Sequence, residues 1–156
     1  MVSEEAYKEA MQRALKLLER RDYAEGELID KLKQKGIEEE TAAKAAERLT
    51  ELGYINDKKF AAILVRHYSA KGFGPGKIRS EFIKRRVPRE FWDEALSEFP
   101  ESVDKVYSLL LKKLGTKERS RENISKASAS AARRGFSWEE INDAVQRLLY
   151  EEDYEE

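Results

Sequence analysis

One junction recurs three times along this chain and restricts the folds open to it. Lys35-Gly36-Ile37, Arg85-Arg86-Val87 and Arg134-Gly135-Phe136 occupy matching positions, and their middle residues lie 50 and 49 residues apart. The apolar positions before them keep the same register: Leu28, Ile78 and Ala127 correspond, as do Leu32, Phe82 and Ala131. A period of about 50 residues carrying apolar side chains at helical spacing marks a tandem helical array, in which each unit buries its apolar face against its neighbours.

Within each period the spacing predicts three helices. In the first, Tyr7, Met11, Ala14, Leu15 and Leu18 share one helical face after Ser3. Asp22, with Glu25 three positions on, reads as a capping box opening the second helix, which ends at Gly36. The third, near Glu39 to Leu52, sets Ala42, Ala45, Ala46 and Leu49 on one side.

The second period repeats the pattern. Asn56 or Asp57 caps a helix bearing Phe60, Ile63 and Leu64, Pro75 opens a helix with Ile78 and Phe82 inward, and Pro88 opens another with Phe91, Trp92, Ala95 and Leu96. The third period has Val103, Val106, Tyr107, Leu110 and Leu111, then a polar segment from Lys117 to Arg134, then a capping box at Ser137 and Glu140. The expected fold is all-α: three tandem three-helix repeats at residues 1–53, 54–100 and 101–150, elongated and able to curve. Residues 151–156 form an acidic tail expected to fray in solvent.

Composition narrows the function. Charged residues make up 39% of the 156 and apolar ones 40%, proportions that suit an array with much surface. There is no cysteine, so disulfides and thiolate metal sites are excluded. No apolar run approaches the roughly 20 residues that span a bilayer. The N-terminus lacks the order of a signal peptide, so a monomeric cytoplasmic protein is expected. His67 is the single histidine, and the carboxylates are interleaved with Lys and Arg as on solvated helix faces. No pair stands out for acid/base work; neither an enzyme nor a cofactor is expected.

Charge is concentrated in one place. Between Asp57 and Pro88 lie nine basic residues (Lys58, Lys59, Arg66, Lys71, Lys77, Arg79, Lys84, Arg85, Arg86) against Asp57 and Glu81, a surplus of +7 in a chain of net charge -1. Lys and Arg at that density suit phosphate, which they neutralise without reading sequence, or an acidic protein surface. The plainer reading is that the long side chains lie over apolar surface on an ordinary helix. Gly72-Phe73-Gly74-Pro75-Gly76 reads as a tight helix connector, since no strand precedes it and no Gly-Lys-Ser/Thr follows. Trp92 and Trp138 fall near the start of third helices and read as partly buried; exposed, they would suit base stacking.

The same stretch carries a resemblance. Leu52-Gly53-Tyr54-Ile55-Asn56-Asp57-Lys58-Lys59-Phe60-Ala61, then Arg66, then Lys71-Gly72-Phe73-Gly74-Pro75-Gly76-Lys77-Ile78-Arg79, resembles the RecX family of bacterial regulators of the RecA recombinase. The resemblance implies three three-helix repeats. It also implies binding to the RecA filament on single-stranded DNA, with restraint of its assembly, ATP hydrolysis and strand exchange in DNA repair, recombination and the SOS response. Arg66, Lys71, Lys77, Arg79, Lys84 and Arg85 are the candidate contacts to filament protein or DNA phosphate, chosen on charge density. The Ser- and Ala-rich third repeat, the near-neutral net charge and the acidic tail depart from the family pattern and point to weak direct binding of single- or double-stranded DNA. A DNA-binding regulator acting without RecA, and an interaction scaffold without nucleic acid, are the other classes.

Overall fold

A computed structural model describes the backbone of residues 2–155 and the side chains of residues 2–151. Among the described residues every regular element is helical: α1 Glu4–Arg20, α2 Glu25–Gln34, α3 Glu39–Glu51, α4 Asp57–Ala70, α5 Pro75–Lys84, α6 Trp92–Ser97, α7 Ser102–Leu114, α8 Arg121–Arg133 and α9 Trp138–Glu155. A 3₁₀ turn, Arg89–Phe91, precedes α6. The chain divides into two compact units, and the division passes through α4 and α5. One holds the residues up to Ile63 with Glu81–Ala95; the other holds Leu64–Ser80 with the residues from Leu96 onward.

In the first unit α1, α2 and α3 close on one apolar core. Ala14, Leu17, Leu28, Leu32, Ala42, Ala46 and Leu49 are buried there. The alanines of α3 let its backbone approach α1 and α2 closely, as their spacing predicts. Ser3 caps α1, its hydroxyl accepting from the Ala6 N–H at 3.1 Å.

The start of α2 differs from the expected capping box. Its N-cap is Ala24, which has no acceptor, and Asp22 stands outside the helix. Two carboxylates take the first N–H groups instead, one from the first turn of α2 and one from the start of α4. Glu27 Oε1 accepts from the Ala24 N–H at 3.4 Å, and Asp57 Oδ1 accepts from the Glu25 N–H at 2.8 Å. Asn56, rather than Asp57, caps α4, accepting from the Lys59 N–H at 3.1 Å. Asp57 is thereby released to tie the first turn of α4 to the first turn of α2.

The second unit is built on α7, α8 and α9. Val106, Leu110, Leu114, Ala127, Ala131, Ile141, Ala144 and Leu148 form its core, with Phe136 packed among them. The capping box at α9 forms as its sequence predicts: the Ser137 N–H donates to Glu140 Oε1 at 2.9 Å and the Glu140 N–H donates to Ser137 Oγ at 3.1 Å. The polar segment before Arg134 narrows to α8, capped by Ser120. Where fraying was expected, α9 is helical through Glu155. Glu151, the first tail residue, accepts from the Tyr107 hydroxyl and from Arg147 Nε. The other tail side chains lie outside those described.

The three sequence junctions adopt one backbone motif. The N–H groups of Ile37, Val87 and Phe136 donate back to Leu32, Phe82 and Ala131, at 3.1, 2.9 and 3.3 Å. Those of Gly36, Arg86 and Gly135 donate to Lys33, Ile83 and Ala132. These are the paired bonds of a Schellman motif, whose central residue must be left-handed. The φ angles are +92° at Gly36, +57° at Arg86 and +99° at Gly135. The repeat is therefore a repeat of hydrogen bonding as well as of apolar spacing.

Two of these junctions also receive a helix start. In the first unit Arg86 lies against Gly26 of α2, where an added Cβ would come within 3.3 Å of the arginine side chain, and Arg86 Nη1 donates to Asp30 at 2.8 and 3.0 Å. In the second unit the N–H groups of Gly74 and Gly76 donate to the carbonyls of Arg134 and Gly135 at 2.8 and 2.9 Å. Gly26 and Gly76 are 50 residues apart, so the same seat is made twice. The Gly-Phe-Gly-Pro-Gly connector thus spends its small residues on backbone contact with the next junction, which accounts for them without a phosphate.

Candidate basic interface

The two carboxylates within the basic stretch are both engaged. Asp57 caps α2, and Glu81 is buried with an oxygen 3.1 Å from Arg85 Nε. Burial pushes the Asp57 carboxyl above its ordinary range, with the Glu25 N–H opposing and the charge of Glu90 reinforcing. The Glu25 carboxyl rises too, through burial and then the charges of Asp57 and Glu47.

In the first unit most of the stretch's cations are likewise paired. Lys58 meets Glu94 at 3.2 Å, Arg86 meets Asp30, and Arg85, half-buried, meets Glu81. Lys84 is exposed at the end of α5. Beside it Ile83 is 66% exposed, an apolar side chain offered outward on a basic helix.

In the second unit Arg66 and Lys71 are exposed at the end of α4 and Arg79 is exposed on α5. Lys77 is half-buried, its ammonium 5.8 Å from the Phe73 ring. Arg79 lies close enough to act on Glu140. Burial pushes the Glu140 carboxyl up, but hydrogen bonds from Ser102 and Ser137, with the Arg79 charge, outweigh it and hold the group below its ordinary range.

In sequence the cations cluster in the second period, and the fold adds three from the third. Lys71 lines a groove of about 480 Å³ together with Lys112 and Lys113 of α7 and Arg134 at the end of α8. No carboxylate lines it. Arg134 is seated by a bond from Nη1 to the Lys71 carbonyl at 3.3 Å and lies 5.7 Å from the Phe73 ring. Gly72 at the lip, with φ +87°, leaves room for that guanidinium, since a Cβ there would fall 3.0 Å from Nη1. The sequence signal was present in Lys112-Lys113 and Arg133-Arg134, but each pair closes a helix, where cations are ordinary.

The aromatic residues divide. Trp92 is half-buried, packs on Phe82 with ring centroids 5.5 Å apart, and donates from Nε1 to the Val87 carbonyl at 3.0 Å. Trp138 instead is 58% exposed at the first position of α9, contrary to its expected partial burial. A helix-start residue preceded by its cap has few neighbours on the solvent side. His67 is exposed and meets Tyr68 edge-on.

Comparison with known proteins agrees with this architecture. Sequence models of the first and second three-helix domains of RecX match residues 10–49 and 56–96. The Regulatory protein RecX of Xanthomonas axonopodis pv. citri (strain 306) is 35% identical over 139 residues, covering 86% of this chain and 85% of the relative. That of Vibrio campbellii (strain ATCC BAA-1116) is 31% identical over 134 residues, covering 85% and 86%. The crystal structure of RecX from Lactobacillus salivarius superposes with a TM-score of 0.82 at 25% identity, over 92% of this chain and 97% of that one. No helix among the described residues is long and apolar enough to cross a membrane. With three-helix repeats that each contain the same junction, and with the first two matched by the family's domain models, the chain belongs to the RecX family of regulatory proteins.

Proposed function

We propose that this protein binds the RecA filament on single-stranded DNA and restrains its assembly, ATP hydrolysis and strand exchange, in the cytoplasm and without catalysis of its own. Membership in the RecX family supports the partner. The observation that carries the surface is the run of cations from Arg66 to Lys84, in which the only carboxylate, Glu81, is buried against Arg85. An array of helices suits a partner that presents many shallow contacts along a repeating surface.

Of the six candidate contacts, Arg66, Lys71, Arg79 and Lys84 are exposed and best suited to face the filament. Lys77 and Arg85 are half-buried, and Arg85 also holds Glu81, so their replacement would disturb the fold. The test is co-sedimentation with RecA filaments of the combined variant Arg66→Glu, Lys71→Glu, Arg79→Glu, Lys84→Glu. Retention of the unmodified protein and loss of the variant are expected. Equal retention of both would remove these residues from the interface.

A further inference from the structure

We infer that the groove between Lys71, Lys112, Lys113 and Arg134 takes the sugar–phosphate backbone of a nucleic acid strand, independently of any contact with filament protein. The charges come from three separate elements that the fold brings together, the end of α4, the last turn of α7 and the end of α8. Lys112 and Lys113 precede Lys71's groove partner Arg134 by some twenty residues, so their meeting is a product of tertiary structure.

The plainer explanation is that each cation serves its own helix, because three C-termini converge here and each carries about half a negative charge. The magnitudes decide against that as a full account. Three ends supply roughly −1.5 in total against four positive charges, which leaves a surplus of about +2.5. Among the described residues none of the four forms an ion pair, whereas Arg13, Arg48, Lys126 and Arg147 all do. One of the four charges is held in place, since Arg134 is fixed by the Lys71 carbonyl and the Phe73 ring.

The lining also indicates the class of anion. Ala70, Gly72, Ala127 and Ala131 keep the floor shallow, so a chain can lie along it. Ser130 is the one uncharged polar side chain, and there is no Asn or Gln to read a base edge. Three of the four cations are lysines, point charges that can hold phosphate without a fixed bidentate geometry. Sequence-independent binding to a polyanion is the chemistry such a lining supports.

The test measures anisotropy of a fluorescent single-stranded oligonucleotide, without RecA, across a range of salt. The full chain is compared with Lys112→Gln/Lys113→Gln and with Lys8→Gln/Lys16→Gln, a matched change of charge on α1. Both pairs are exposed, and circular dichroism checks that helix content is retained. The groove variant is expected to bind roughly tenfold or more weakly at low salt. Its slope of log affinity against log salt should be shallower by about 1.4, two contacts at about 0.7 each on a single strand. The α1 variant should match the unmodified protein. The inference is overturned if the protein shows no binding at low salt, if the groove variant binds unchanged, or if both variants weaken equally. Loss of oligonucleotide binding with filament binding intact would separate Lys112 and Lys113 from the filament surface, with which the groove shares Lys71.

Discussion

At the level of single residues the same conformation has different consequences according to what stands next to it. Gly36 and Gly135 occupy the same position of the same motif with nearly the same φ. Nothing lies within 4 Å of a Cβ added at Gly36, whereas one at Gly135 would fall 2.4 Å from the Lys77 backbone nitrogen. Gly36→Ala is therefore expected to cost about 1 kcal/mol, the left-handed penalty alone. Gly135→Ala should cost about 3 kcal/mol or more, because overpacking adds to that penalty. Urea midpoints at unchanged slope would check the difference; equal shifts would contradict it. The sequence showed both glycines as junctions, but the close approach at Gly135 depends on a connector 60 residues earlier.

Asp57 makes the same point about reach. Sequence placed it at the start of α4 and its carboxylate acts on α2, a role invisible locally because Asn56 beside it is an equally good cap. Asp57→Ala should destabilise the protein by about 1 kcal/mol in thermal or urea melts, the typical worth of a cap. Asp57→Asn keeps an acceptor and should lose less, while removing a carboxyl that burial makes reluctant to ionise.

At the level of helices, local signals were most legible where capping and periodicity agreed. Ser137 and Glu140 form the box their spacing announces, and Ser137→Ala is expected to cost about 1 kcal/mol, with amide exchange quickening in the first turn of α9. The box expected at Asp22 failed because Tyr23 and Ala24 are buried and the helix begins only after them. Tertiary burial overrode a correct local pattern there. In α5 the strip of Ile78 and Phe82 is fully buried as its spacing requires. Ile83 lies outside that strip, and among the described residues it is the most exposed of the large apolar side chains.

At the level of the whole molecule, raised and lowered carboxyls fall in different compact units. Glu25 and Asp57 in the first have raised carboxyls, so the folded state holds their protons more tightly than the unfolded chain does. Their contribution is fully present at acidic pH and is lost as pH rises through the raised values. Glu140 and Glu151 in the second are lowered, Glu140 despite burial and Glu151 by bonds from Tyr107 and Arg147. Their contribution is present above the ordinary carboxylate range and is lost as pH falls through the depressed values. Acidification from about pH 6 to about pH 3 should therefore lower the protection of α7 and α9 before that of α1 to α3. Amide exchange corrected for intrinsic rate would show it, and earlier loss in α1 to α3 would contradict it.

The repeat architecture could be read from three short junctions because each helix-ending motif is set by a handful of adjacent residues. The groove could not, since Lys71, Lys112 and Arg134 are brought together only by the packing of α7 and α8 on the connector after α4. Restraint of a RecA filament by this protein is tested most directly by the filament's ATP hydrolysis on single-stranded DNA as the protein is added, with binding to bare DNA followed in parallel. A fall in hydrolysis at protein levels too low to coat the DNA is the predicted result. Unchanged hydrolysis while the protein binds bare DNA, or binds nothing, would contradict it.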